Sequence, residues 1–306
     1  LTSKIKAPTM IDSTDPIVIK SSLKLCPGKI IVNSINLEDG EDKFEEIVPD
    51  AKKYGALLIV GTIDEDKDQA QAITSQRKLE IAKRSYDLLV DKYKFPSNQI
   101  IFDPLTFPVG TGDVNYLDSA KQTIEGIKLI KEKLPNAKII LGISNVSFGL
   151  PSNGREVLNS VMLNHCLNSG LDYAIVNTQS LKRFNSLSKK EILLSNNLIF
   201  DNNKETLDTF VDHFRTKPKQ VVQKKNIKWD EFLKESIISG SKNEIEVNLD
   251  KGLKIKKPLE IINGPLMSGM DVVSELFGKN ELIVAEVLQS AEVMKTSVTY
   301  LEKFME

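Results

Sequence analysis

Four polar residues stand where apolar runs stop: Asp12 after "TMI", Asn33 after "KIIV", Asp103 after "QIIF" and Asn145 after "KIILGIS". Aspartate and asparagine are poor strand formers, so each needs a reason to end a strand. Two carboxylates that accept hydrogen bonds and two carboxamides that both donate and accept can line a polar pocket. Any one of them alone could equally cap the next helix or open its loop. Four at the same position in four repeated units favour a shared pocket.

The units that position them are legible in the apolar pattern. Six short runs, including "GALLIVGTIDED" and "DYAIVNTQ", read as strands, the first of these turning polar at Thr62 and Asp64 and the second ending in Asn177. Between them lie helical stretches with apolar residues three and four apart, such as Leu79, Ala82, Tyr86 and Leu89, or Ile124, Ile127, Ile130 and Leu134. Strands alternating with such helices predict an α/β fold with parallel strands and helical crossovers. In a β/α barrel the strand C-termini carry the active site, which is where the four polar residues fall. A closed barrel needs eight strands, so the pattern predicts a partial TIM-type barrel of six, with two strands expected before residue 1. The alternative is an open sheet.

Beyond the barrel, expected over 1–215, "TKPKQVVQKKNIK" (216–228) carries five lysines and no acid, and reads as a solvated linker. Residues 229–306 show no strand signal. They predict a small all-α bundle of four helices, with Gly278 after Phe277 as a helix stop. A net charge of -1 gives no electrostatic case for nucleic acid or an anionic membrane. Two cysteines, Cys26 and Cys166, are too few for a disulfide framework, and two histidines too few for a multi-histidine metal site. No apolar run approaches membrane-spanning length, and the expectation is a cytoplasmic protein. The acidic run Asp64, Glu65, Asp66 and Asp68 reads as a helix start rather than a cation site.

"MIDST", "IVNSINLEDG", "IIFDPLTFPVGTGD" and "GISNVSFGLP" occur in the same order as in the pterin-binding barrel of cobalamin-dependent methionine synthases. "GPLMSGMDVVSELFGKNELIVAEVLQSAEVMKTSVTYLEKF" resembles the helical cap that these enzymes place over cobalamin. The barrel half also resembles methyltetrahydrofolate:corrinoid methyltransferases and, more distantly, dihydropteroate synthase. The resemblance implies methyl transfer from 5-methyltetrahydrofolate to cob(I)alamin, in the synthesis of methionine from homocysteine. The other reading is a module that only binds pterin or cobalamin. The family's remaining parts are not found here: two barrel strands, a homocysteine domain holding zinc, a cobalamin-binding domain and a reactivation domain. The chain therefore reads as an interior segment whose partners are those domains, with cobalamin, as methylcobalamin, held mostly by one of them.

Carried over by position, Asp12, Asn33, Asp103 and Asn145 are the pterin residues. Asp103 suits the pterin edge that offers a ring N–H beside an exocyclic amine, since a carboxylate accepts from both. Asn33 suits the adjoining ring nitrogens. Asn145 is assigned the activation step, because a rotating carboxamide can turn its oxygen to a protonated N5, with Asp12 assisting. Arg155, in "PSNGRE", lies at the same end, either as a ligand contact or in a surface ion pair. In the cap, Phe277, Val284 and Val287 are the positions that face the corrin, an apolar lid over a reactive metal.

Overall fold

Alternation along six strands decides which side chains meet. The computed structural model describes residues 7–67, 70–112, 114–178, 181–215, 228–242, 244–279, 282 and 284–305. The strands are β1 (Thr9–Asp12), β2 (Ile30–Leu37), β3 (Leu57–Asp64), β4 (Ile100–Asp103), β5 (Lys138–Gly142) and β6 (Tyr173–Ile175). They pair in sequence order, every neighbour parallel, as an open half-barrel with β1 and β6 at its edges. On the inner face Ile59, Ile101 and Ile140 form a cluster joined by Met10, Ile31 and Leu57. On the other face Val32, Leu58, Val60, Phe102 and Leu141 are fully buried, and helices pack against the sheet. Each such residue contributes about 1.5–3 kcal/mol by leaving water. A slip of one residue would turn a whole set outward, so the register is fixed.

The crossovers are α1 (Pro16–Leu25), α2 (Asp42–Lys53), α3 (Ser75–Asp87), α4 (Ser119–Lys133) and α5 (Ser152–Asn168), followed by α6 (Lys189–Phe200) and α7 (Lys204–Arg215). Their starts are written locally. Asp15 accepts from the amides of Ile17 and Val18 ahead of Pro16, Thr74 caps α3, and Ser188 with Glu191 closes a capping box on α6. Two details differ from the sequence reading. β5 ends at Gly142, and Asn145 sits in a 3₁₀ turn (Ile143–Ser147) rather than at the strand end. On α3 the buried stripe is Lys78, Ile81, Ala82 and Ser85, while Leu79 and Tyr86 lie half-buried at its margin.

The described residues divide into two compact units. One holds those up to Val176 together with Ser188–Arg215, and the other holds Asn177–Leu187 and those from 228 onward. Segment 177–187 joins the second unit through Arg183, which donates to the Ile238 carbonyl and Ser290 Oγ, and through Gln289 Nε2, 3.0 Å from the Leu181 carbonyl. The lysine-rich stretch 216–227 lies outside the described residues.

In the second unit α8 (Trp229–Ser239), α9 (Ile245–Leu253) and α12 (Val284–Glu302) pack with a bent rod made of α10 (Pro258–Ile261), the turn Ile262–Leu266 and α11 (Met267–Gly278). The bend lies where Gly264 leaves helical geometry and Pro265 lacks an N–H. Four helical rods thus surround a core that includes Leu233, Ile237, Leu249, Leu266, Val273 and Val293. α11 meets α8 at Gly269, where a Cβ would stand 2.7 Å from Ile237 Cβ and 2.9 Å from the Lys234 carbonyl. Neither neighbour is a flexible tip. Gly269→Ala is therefore expected to destabilise this unit by about 1–3 kcal/mol, the cost of overpacking. Thermal melts followed by circular dichroism check this, and an unchanged midpoint would refute the close helix contact.

Candidate functional site

The inner face ends in a polar rim because two residues separate its last apolar layer from the strand tips. Met10 leads to Asp12, Ile31 to Asn33, Ile59 to Gly61, Ile101 to Asp103 and Ile140 to Gly142. The register aligns Asp12 with Asn33 and Gly61 with Asp103. Asn33 Nδ2 donates to Asp12 Oδ1 at 3.1 Å, so these two side chains form one unit, with the Asn33 carbonyl oxygen outside that bond. Gly142 leaves its rim position without a side chain. Asn145 covers it, its Nδ2 only 3.5 Å from where a Gly142 Cβ would stand. Asp12, Asn33, Asp103 and Asn145 thus lie at one end of the sheet.

Asp103 is the most constrained of the four. Its Oδ1 accepts from the Leu105 amide at 2.9 Å, and burial pushes its carboxyl up to about 6, against that hydrogen bond and the nearby Lys78 charge. Leu105 itself has φ 59°, a left-handed conformation that a side chain adopts at a cost. Two donors hold it there: Thr123 Oγ1 at 2.9 Å and Lys78 Nζ at 3.3 Å, both on the Leu105 carbonyl.

Lys78 is a neighbour of Asp103 that the apolar pattern does not reveal. It is fully buried, and its Nζ also donates to the carbonyls of Pro104 at 2.6 Å and Ala72 at 2.7 Å. Burial pulls its pKa down to about 7, opposed by the Asp103 charge. A signal was present: Lys78 stands three residues before Ile81 and four before Ala82, on the apolar stripe of α3.

Around Asn145 the 3₁₀ turn is braced by Arg155 and by Val109, and Val109 in turn by Asn202. Arg155 Nε donates to Ser147 Oγ at 3.2 Å, and its Nη2 lies 3.5 Å from the Ser144 carbonyl. The Val109 amide donates to the Val146 carbonyl at 3.0 Å, and Asn202 Nδ2 donates to the Val109 carbonyl at 3.0 Å. Arg155 is thus bonded to the turn that carries Asn145. Elsewhere the acids at and just beyond the end of β3 are tied to arginines: Asp64 to Arg77 at 2.6 Å and Glu65 to Arg84 at 2.8 Å, while Asp68 lies outside the described residues. Cys166 is buried, which pushes its thiol pKa up and away from reactivity. Among the described residues no helix is long and apolar enough to cross a membrane.

In the second unit Phe277, near the end of α11, is 44% exposed, an aromatic ring left largely uncovered. Val287 is half-buried against the helical core, and the side chain of Val284 lies outside the described residues.

Residues 1–177 match the family of pterin binding enzymes, and residues 229–302 match the B12 binding domain. Two curated relatives are both named methionine synthase. That of Mycobacterium tuberculosis (strain ATCC 25618 / H37Rv) is 35% identical over 311 residues, and that of Mycobacterium leprae (strain TN) is 34% identical over 311. Each alignment covers 98% of this chain and 26% of the relative, so the chain spans about a quarter of their length. With a half-barrel rimmed by two carboxylates and two carboxamides, and a family match running from residue 1 to 177, this chain belongs to the pterin-binding enzymes.

Proposed function

We propose that the chain moves the methyl group of 5-methyltetrahydrofolate to cob(I)alamin, within the synthesis of methionine from homocysteine. The observation that carries this reading is the order of two matches in one chain, pterin binding and then B12 binding. A corrinoid methyltransferase without a cap would account for the first match alone.

In this reading residues 1–215 hold the folate, 229–306 cap the cobalamin, and 216–228 link them. Asp103 grips the pterin edge of N–H and NH₂ donors, and Asn33, steadied by Asp12, meets the adjoining ring nitrogens. Asn145, with Asp12 assisting, holds a proton at N5, so that nitrogen departs as a neutral amine when the methyl group leaves. Arg155 braces the turn that carries Asn145, and in this reading it is a further ligand contact. For the cofactor, the uncovered ring of Phe277 fits an apolar macrocycle face, and Val284 and Val287, three residues apart on α12, are the other two positions assigned to it. Cobalamin supplies a cobalt nucleophile when bound; no side chain of this chain has to attack. Its main binding domain and a zinc-bearing homocysteine domain are the partners this reading requires, in a cytoplasmic setting.

The test uses a protein of the relatives' length that carries this chain. Given 5-methyltetrahydrofolate and free cob(I)alamin, it is expected to release tetrahydrofolate. Tight binding of both with no tetrahydrofolate formed would reduce the chain to a binding module.

A further inference from the structure

A lysine with no exposed surface is unusual unless something holds it. Lys78 crosses from α3 past α4 at Gly126, where a Cβ would come within 2.7 Å of the lysine Cδ. Only a residue without a side chain leaves room for that passage. The ammonium then reaches three carbonyls, two of them in the turn that follows Asp103, and stands 5.4 Å from the centre of the Phe107 ring. The strained Leu105 conformation, the missing side chain at Gly126 and the three carbonyls all converge on one group.

We propose that Lys78 is a positioning residue of the pterin site, fixing the Asp103–Leu105 turn and supplying positive field beneath the Asp103 carboxylate. The inference rests on the pterin reading of Asp103. Among the described residues Asp103 is the charged group that acts on Lys78, whereas Arg77, next to it on α3, turns to Asp64 and Asp66. A nearby cation favours the ionised carboxylate, the form that accepts from two pterin donors. Folate affinity should therefore fall as the pH drops through about 6, where Asp103 gains its proton. Without the cation that midpoint should lie higher.

The experiment is titration of 5-methyltetrahydrofolate from about pH 5 to about pH 8, in a protein of the relatives' length carrying this chain. Lys78→Gln keeps a donor for the carbonyls but removes the charge. It is expected to raise the midpoint by roughly one pH unit, leaving binding about tenfold weaker near pH 5, about fivefold weaker near pH 6 and close to normal near pH 8. Lys78→Met should show the same upward shift. A loss by one constant factor at every pH, with the midpoint unmoved, would make Lys78 mere scaffold and overturn the proposal. So would unchanged binding. Should both variants fail to fold, Gly126→Ala displaces the lysine stem without altering its charge, and is expected to raise the midpoint in the same direction. An unmoved midpoint in that variant counts equally against Lys78. The two readings fail differently: no binding by the unaltered protein at any pH defeats the pterin site itself, whereas normal binding with a fixed midpoint defeats only Lys78.

Discussion

Asp103→Ala is expected to weaken 5-methyltetrahydrofolate binding by about 1.5–3 kcal/mol, the range for hydrogen bonds to a charged group. The carboxylate stands at the rim, two residues beyond Ile101, its Oδ1 already shared with the Leu105 amide. In the proposed reading the pterin edge it would meet keeps its charge throughout the reaction. Its interaction is therefore as strong before methyl transfer as during it, and its loss should appear in affinity rather than in the chemical step. Asp103→Asn is a sharper probe of the same point. It preserves the volume but replaces one acceptor with a donor, so one pterin N–H faces an N–H. Calorimetric titration of folate into both variants measures this, and unchanged affinity in Asp103→Ala would rule out the two-point grip.

Much of this site was legible because it lies on strands. A period of two ties Asp12, Asn33 and Asp103 to the apolar residues two places before them, so the inner face can be read from the sequence once strands are recognised. Asn145 was legible only by its residue type and motif. It is not on β5, and the 3₁₀ turn that folds it back over Gly142 depends on contacts from Arg155 and from Val109, far apart in sequence. Lys78 was missed for a related reason. Periodicity scores apolar residues, and a lysine on the stripe of α3 counts as an interruption rather than as a buried cation. Its burial depends on the gap at Gly126 on another helix and on carbonyls after a third element. No local pattern carries that information. The same holds for segment 177–187, whose place is set by Arg183 and Gln289 bonds to helices more than fifty residues away.

Asn145→Ala is expected to behave in the opposite sense to Asp103→Ala. The tertiary amine N5 must carry a proton to leave as a neutral amine, and a carboxamide can present its oxygen to that N–H. The interaction belongs mainly to the transition state, because N5 changes most as the methyl bond breaks. It is also preorganised: Arg155 and the Val109 amide hold the 3₁₀ turn, and Gly142 leaves space for the amide to rotate. Removing one such partner typically costs about 10²–10³ in rate, and folate affinity should change far less. The comparison needs single-turnover demethylation rates and folate dissociation constants for both variants at one pH, above the Asp103 midpoint of about 6 so that its titration does not intrude. Asn145→Asp adds a second reading. A carboxylate accepts from a protonated N5 but has no N–H for a bare one, so at the same pH its rate should fall less than that of Asn145→Ala. Should Asn145→Ala lose rate and affinity in the same proportion as Asp103→Ala, the asparagine is one more clamp on the pterin ring, and activation at N5 must come from Asp12 or from solvent.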